Sequence, residues 1–467
     1  MLEVEVIASN YYTNKKGPRA WKTHIPNLPD NMLPAYLNAL TPNDANVKIK
    51  TSDLHNPSYD PSIDLAVISF GTANAPIAYH VAEKYRNQGT KVIFGGVHIN
   101  SINNIGLLSE AQQFADSVCI TEADQVWSRI LEDTVSGELK QIYHSSLADI
   151  KQTPILTPND RSLLRKPSIS SPFVSIRTSE GCPYKCNFCS IYKIFGANYR
   201  FRNIEDVIEE IKLIKPITSF YGTKRYVSFT DDNLLGKMTR GLTLLEEIAS
   251  LGNVAWVGGI SSDLINEKSV KTLAKSGAIA IFMGFDKFSG NDLAGKNRAR
   301  FGEKIELLHK YNIGVEGAVI IGHDSDTPET LRNIEEFFIQ NKIDVPSVNL
   351  LTAYPGTDLW DEITEQDRLK FPVKGEGEDW KFWARYTTEE VNIKEHPHFT
   401  DDELFESYIK LWKALVSGSS IRNRFKNRII HPMILPNIMY NAFLHDGLPQ
   451  TVIRAAIKSN SILPKLL

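Results

Sequence analysis

Three of the chain's four cysteines, Cys182, Cys186 and Cys189, stand within the stretch EGCPYKCNFCS at the spacing C-x3-C-x2-C. The fourth, Cys119, lies far upstream, and no histidine stands near the triplet. Thiols this close together read as a metal site. Structural zinc takes four protein ligands, usually as two separated pairs, so Cys119 or a remote histidine would have to complete it, against the spacing. An iron–sulfur cube normally takes four cysteinates. With three supplied, one iron keeps an open position, and an open metal position is where chemistry takes place. Pro183, Lys185 and Asn187 between the thiols mark an exposed loop rather than three cysteines packed in a core.

Such a loop needs a frame. FVSIRTS (173–179) reads as a strand running into it. NIEDVIEEIKLI follows as a helix capped by Asn203, with Ile204, Val207, Ile208 and Ile211 at helical spacing. Further strands are predicted at 225–232, 254–261, 278–286, 315–322 and 347–354, and helices at 239–250, 266–275, 296–311 and 327–341. Thr327 followed by Pro328 is a helix start. Six βα units are too few for a closed eight-fold barrel and predict an open, partial (β/α)6 TIM barrel. Ahead of it, DLAVISF (64–70), KVIFGG (91–96) and DSVCI (116–120) are short apolar runs of the kind buried on both faces of a parallel sheet. With the helical stretch opening at Asn74 they form βαβ units, hence a Rossmann-like domain whose ligand site lies beyond the strands' carboxyl ends. The fold class is α/β. The expected domains are 1–150, 151–365 after a proline-containing linker, and a helical region 366–467 in which Thr400 and Glu403 form a capping box.

Composition narrows the class. A chain of 467 residues holds more than one core. Hydrophobic content of 42%, charged content of 23% and a net charge of -3 describe a globular protein with no basic field for nucleic acid. No apolar run is long enough for a transmembrane segment, and the N-terminus lacks the pattern of a signal peptide. Clustered thiols without a disulfide framework point to a reducing, cytoplasmic setting. Residues 421–467 carry seven Lys or Arg against Asp446 alone. That excess is a solvated helix face, or contact with an anionic surface.

C-x3-C-x2-C after the first strand of a βα repeat, with Phe188 before the last cysteine, resembles the radical S-adenosylmethionine (SAM) superfamily. The resemblance implies a [4Fe-4S] cluster on Cys182, Cys186 and Cys189, whose unique iron binds SAM. One-electron cleavage of SAM then gives a 5'-deoxyadenosyl radical that takes hydrogen from substrate. It also implies SAM contacts from Phe188, from Asp231, Asp232 and Asn233 at the end of the second strand, and from Ser261 and Ser262 at the end of the third. MGFD ends in Asp286 where relatives carry glutamate. VIIGHDSDTPE resembles the adenine-contacting strand and turn, and brings in Ile321 and Gly322.

The front domain resembles the cobalamin-binding subgroup of that superfamily. The segment from Asp64 to Ser101, with Gly95-Gly96-Val97-His98, resembles that subgroup's strand, helix and Gly-Gly-x-His. ITEADQVW stands in place of its Gly-Glu-x-Glu segment, and GANYRFR (196–202) also fits. The resemblance implies corrin contacts from Ser69, Thr72, Gly95, Gly96, His98 and Glu122, with His98 in a loop. The histidine-ligating motif D-x-H-x-x-G is absent; Asp53-Leu54-His55 imitates its start but ends in Ser58. The expected function is a cobalamin-dependent C-methyltransferase acting on an unactivated carbon. The substrate would be a natural-product, lipid-like or peptide molecule, and the electron would come from a flavodoxin- or ferredoxin-like reductant. A non-methylating radical reaction is the alternative, and a non-enzymatic iron–sulfur or zinc protein the third reading. Trp256, Tyr354, Trp360, Trp380, Trp383 and Tyr386 are either pocket lining or interdomain packing.

Overall fold

LAVIS and KVIFG contain almost no side chain that seeks water, and in the computed structural model they lie side by side inside a six-stranded sheet. The structure describes residues 1–8, 31–146, 154–164, 166–167, 172–219, 222–285, 296–371, 380–388 and 390–425. The strands are β1 Leu2–Ala8, β2 Val47–Asp53, β3 Leu65–Ser69, β4 Lys91–Gly95, β5 Ser117–Ile120 and β6 Ile142–His144. Their order is β2-β1-β3-β4-β5-β6 and every pairing is parallel. The order reverses between β1 and β3, which opens a crevice beyond the carboxyl ends of those strands. β1 did not stand out as an apolar run because Glu3 and Glu5 interrupt it. Glu5 is nonetheless buried, accepting hydrogen bonds from the hydroxyls of Tyr85 at 2.6 Å and Ser58 at 2.7 Å.

Helices cover both faces of this sheet. Val4, Val6, Leu65 and Val67 share one apolar cluster with Leu37 and with Trp127 of helix Trp127–Ser136. Cys119 belongs to that cluster, and burial pushes its thiol up to about 12. It is a core residue of the first sheet. On the other face Ile68, Phe94 and Val118 pack with Tyr79 of helix Ala75–Asn87 and Ile99 of helix Val97–Asn104.

The second sheet is built from β7 Val174–Ile176, β10 Ile217–Ser219, β11 Gly222–Phe229, β12 Val254–Gly259, β13 Ala278–Gly284, β14 Gly314–Ile321 and β15 Val345–Leu350. Six of these run parallel in the order β7-β11-β12-β13-β14-β15, and β10 forms an antiparallel hairpin on β11. Among the described residues β7 and β15 do not pair, so the sheet is open at that seam. Between β7 and β11 the short strands β8 Ser179–Glu180 and β9 Arg200–Phe201 pair antiparallel. Helices Ile204–Leu213, Met238–Leu251, Glu267–Ser276, Lys296–Lys310 and Pro328–Gln340 fall within one or two residues of the predicted positions. Thr327 caps the last of them, with Pro328 in its first turn.

The C-terminal region departs from expectation. It is not helical from residue 366; among the described residues it crosses back as a short 3-10 turn, Trp380–Arg385, before helix Asp401–Val416, whose Thr400–Glu403 capping box is present. Trp360, Trp383 and Tyr386 pack into the first sheet's core beside Tyr79 and Ile99. The side chain of Trp380, Asp286, and the basic stretch beyond residue 425 lie outside the described residues.

Candidate functional site at the cysteine loop

The cysteine loop is an excursion closed at its base. β8 leads in and β9 leads out, and the Cys182 amide donates to the Gly196 carbonyl at 3.2 Å. Gly181 has φ +84°, and a Cβ there would stand 2.5 Å from the Asn198 carbonyl oxygen, so only glycine allows this closure. Within the loop the Cys189 amide donates to the Cys186 carbonyl at 3.0 Å. None of the three thiols is in a disulfide. Burial raises the Cys189 thiol to about 11, with smaller contributions from Cys186, Cys182 and Asp232, so these four groups lie within electrostatic reach of one another.

Among the described residues no three His, Cys, Asp or Glu side chains converge on one metal ion. In a zinc site every sulfur would lie about 2.3 Å from a single ion. Structural zinc also takes four protein ligands, and this loop supplies three thiols. The donor set is therefore suited to an iron–sulfur group with three protein ligands.

The loop is held by a relay of polar contacts. The Ser261 amide donates to Asn233 Oδ1 at 3.2 Å, Asn233 Nδ2 donates to the Tyr199 hydroxyl at 3.3 Å, and that hydroxyl hydrogen-bonds to Cys182. The Tyr199 ring lies directly on Gly236, where a Cβ would stand 2.1 Å from Cζ. Asp231 is buried, accepting from the Thr178 amide at 3.0 Å and from the hydroxyls of Thr178 at 2.7 Å and Ser179 at 2.6 Å. Its oxygens tie the end of β11 to the base of the loop. Asp232 differs. Burial raises it to about 6 and the charge of Asp231 adds to that, while the Gly181 amide at the base of the loop donates to it and Cys189 lies within its electrostatic reach.

The remaining predicted SAM contacts are spread out. Ser261 is partly accessible; Ser262 is buried, and its carbonyl accepts from Lys304 Nζ at 2.7 Å. Ile321 is buried in the second sheet's core. Gly322, at φ +96°, donates its amide to Asp326 Oδ2 at 2.8 Å. It lines a small recess with Leu351, Ile393, His396 and Leu404, on the side of helix Asp401–Val416. Phe188 is half-buried against the first sheet's apolar cluster.

That packing brings the two sheets together at the loop. The Leu359 amide donates to the Asn187 carbonyl at 2.8 Å, and a Cβ on Gly356 would meet the Ser101 carbonyl at 3.0 Å. Arg200 of β9 reaches across to Glu122 at 2.7 Å while also pairing with Glu180 at 3.1 Å, and Arg177 pairs with Glu180. Arg200 is the group that holds Glu122 below the usual carboxylate range, while burial raises Asp124 to about 6 with Glu122 adding to the rise. Glu122, expected at a corrin, is bound to the loop's returning strand. Sequence reasoning missed this pairing because its partners are 78 residues apart.

At the carboxyl edge of the first sheet Ser69, Gly95 and Gly96 keep solvent access, and Val97 is 42% exposed. Gly96 has φ +91°, and a Cβ there would press on Ser69 Oγ at 2.7 Å and the Phe70 amide at 2.9 Å. The glycine lets the backbone turn closely over the end of β3. Thr72 and His98 are buried. His98 sits on helix Val97–Asn104, not in a loop. Its Nε2 shares a hydrogen bond with the Tyr79 hydroxyl at 3.1 Å, and its ring stands edge-on to Trp383. Burial drives it down to about 3, so it is neutral.

Residues 176–338 match the Radical SAM superfamily. The chain is 28% identical to the bacteriochlorophyllide d C-12(1)-methyltransferase of Chlorobaculum tepidum, over 83% of this chain and 82% of that protein. It is 26% identical to the bacteriochlorophyllide d C-8(2)-methyltransferase of the same organism, over 83% and 86%. Among solved structures, the radical SAM methyltransferase TsrM from Kitasatospora setae, with cobalamin and [4Fe-4S] cluster bound, superposes with a TM-score of 0.62 at 15% identity, covering 89% of each chain. No described helix is long and apolar enough to cross a membrane. With its cysteine loop between two parallel sheets, the chain carries a radical SAM domain at residues 176–338 and is similar over most of its length to enzymes of the cobalamin-binding radical SAM subgroup.

Proposed function

We propose that this chain is a cobalamin-dependent radical SAM methyltransferase that places a methyl group on an unactivated carbon of a natural-product or lipid-like substrate. One observation carries the reading: the cysteine loop is packed against the first sheet's apolar cluster through Phe188 and tied to Glu122, just beyond that sheet's carboxyl edge, through Arg200, so that two cofactor sites would face one space. Similarity across most of the chain to two methyltransferases that modify a macrocycle supports it. When bound, the cluster and SAM supply the carbon radical that activates the substrate, and cobalamin carries the methyl group.

In this reading Cys182, Cys186 and Cys189 hold the cluster. Asp232, with the accessible Ser261 nearby in the fold, is placed for the polar end of SAM. Asn233 and Tyr199 keep the loop in register. Asp231 braces it. Ser69, Gly95, Gly96 and Val97 form the shelf for the corrin, and the second sheet takes the role of a partial barrel whose mouth opens toward that shelf. Glu122 and Arg200 fix the distance between the two sites, and the packed interface keeps water from the reacting space. The products test the reading. Incubation of the anaerobically reconstituted protein with SAM, reductant and substrate candidates should give S-adenosylhomocysteine together with 5'-deoxyadenosine and a methylated product. Deoxyadenosine without S-adenosylhomocysteine would contradict methyl transfer and leave a rearrangement or dehydration.

A further inference from the structure

Strand β14, Gly314–Ile321, carries an acid where its neighbours are apolar or small. A Cβ on Gly317 would stand 2.8 Å from Phe285 and 2.9 Å from Ile343, so that face of β14 lies under the outer helices. Side chains alternate along a strand, and Glu316 therefore points to the other face. Because the six strands follow in chain order, their right-handed crossovers put every helix on the same side. The face of Glu316 is the inner one.

The residues around it leave room. Phe282 is the direct neighbour of Glu316 on β13 and shares its face, and it is 44% exposed although Ile281 and Met283 on either side are fully buried. Gly259, Ala280, Ala318 and Ser347 continue the same face at the positions next in register. Below them Tyr226 and Ile279 belong to a separate apolar cluster near the amino ends of their strands. Glu316 is thus on the wall of a space with an apolar floor, and it retains partial solvent access. Burial alone pushes its carboxyl up to about 7, and no described residue gives it a hydrogen bond or an opposite charge. An acid held on an apolar wall with only partial access to water is poorly solvated. It is explained when a ligand supplies the partner.

We propose that Glu316 is a substrate-binding residue, accepting an N–H or O–H donor from an apolar, ring-sized substrate that lies against Phe282. The proposal rests on the reading of the chain as an enzyme whose substrate enters the second sheet's inner space. Gly259, Ala280 and Ala318 then provide the width for a ring, and Glu316 selects ring systems that present a donor toward the floor.

The test uses the holoprotein, reconstituted with cluster and cobalamin, and two probes of nearly equal shape, indole and benzothiophene. Binding is measured by titration for the wild type, E316M and E316Q, and SAM cleavage to 5'-deoxyadenosine is followed on the same samples. At pH 8.5, where the carboxyl is ionised, wild type should bind indole roughly tenfold or more tighter than benzothiophene, the factor set by a hydrogen bond to a charged acceptor. E316M should lose that preference. E316Q, which keeps an acceptor oxygen, should retain part of it. Equal binding of the two probes by wild type, binding of neither, or a preference unchanged in E316M would overturn the assignment. Absence of SAM cleavage in all three proteins would instead overturn the enzymatic reading, and the probe comparison would still stand.

Discussion

The role of His98 changed most between sequence and structure. In the sequence it follows two glycines at a strand end and resembles a ligand-facing residue. In the fold its ring is enclosed by Phe70, Tyr79 and Trp383, and its neutral form is the one that packs. The sign of the pH effect follows. The unfolded chain takes up a proton at His98 near pH 6.5, while the folded chain refuses it until about 3. His98 therefore makes stability fall as pH drops below 6.5, with a slope that approaches about 1.4 kcal/mol per pH unit. Nearby Glu110, raised by burial, acts in the opposite direction and is common to both proteins in the comparison. Urea unfolding of H98Q between pH 7 and 5 should show a flatter acid limb than wild type by up to that slope. Identical limbs would contradict the burial of a neutral imidazole. The three cysteines, by contrast, were legible from spacing alone, because a loop that gathers thiols leaves a local signature.

At the scale of elements the same contrast holds. Strands such as LAVIS and helices such as Pro328–Gln340 were readable because their signals, apolar runs and a Thr-Pro start, lie within a few residues. The relay Ser261–Asn233–Tyr199–Cys182 was not, since it joins two strand ends and the returning arm of the loop. Gly236 is the point where that relay meets packing. In G236A the added methyl would stand on the Tyr199 ring, and neither the ring nor the loop it supports can keep its place. Overpacking of this kind costs about 1–3 kcal/mol. The variant should fold with a lowered melting temperature and should lose iron–sulfur absorbance on gel filtration faster than wild type. Retention of the cluster at the wild-type rate would show that Tyr199 does not support Cys182.

For the whole molecule, the C-terminal region acts as a strap. Trp383 lies in the first sheet's core, stacks on Trp360 and donates its indole N–H to Glu110 at 2.7 Å, a partner 273 residues earlier. No local pattern announces a contact of that span, and so sequence reading left these aromatics as either pocket or packing; the structure makes Trp360, Trp383 and Tyr386 packing. W383A should cost about 3–5 kcal/mol and split the urea transition in two as the first sheet unfolds before the second. A single transition at the wild-type midpoint would mean that the strap does not couple them. The central claim is that both cofactor sites lie on one chain, facing each other across this interface. It is tested by reconstituting the protein anaerobically with iron, sulfide and hydroxocobalamin, and counting metals after gel filtration. The expected result is about four irons and one cobalt per chain, with Cys186→Ala losing the iron and keeping the cobalt. Iron without cobalt, or loss of both in C186A, would contradict it.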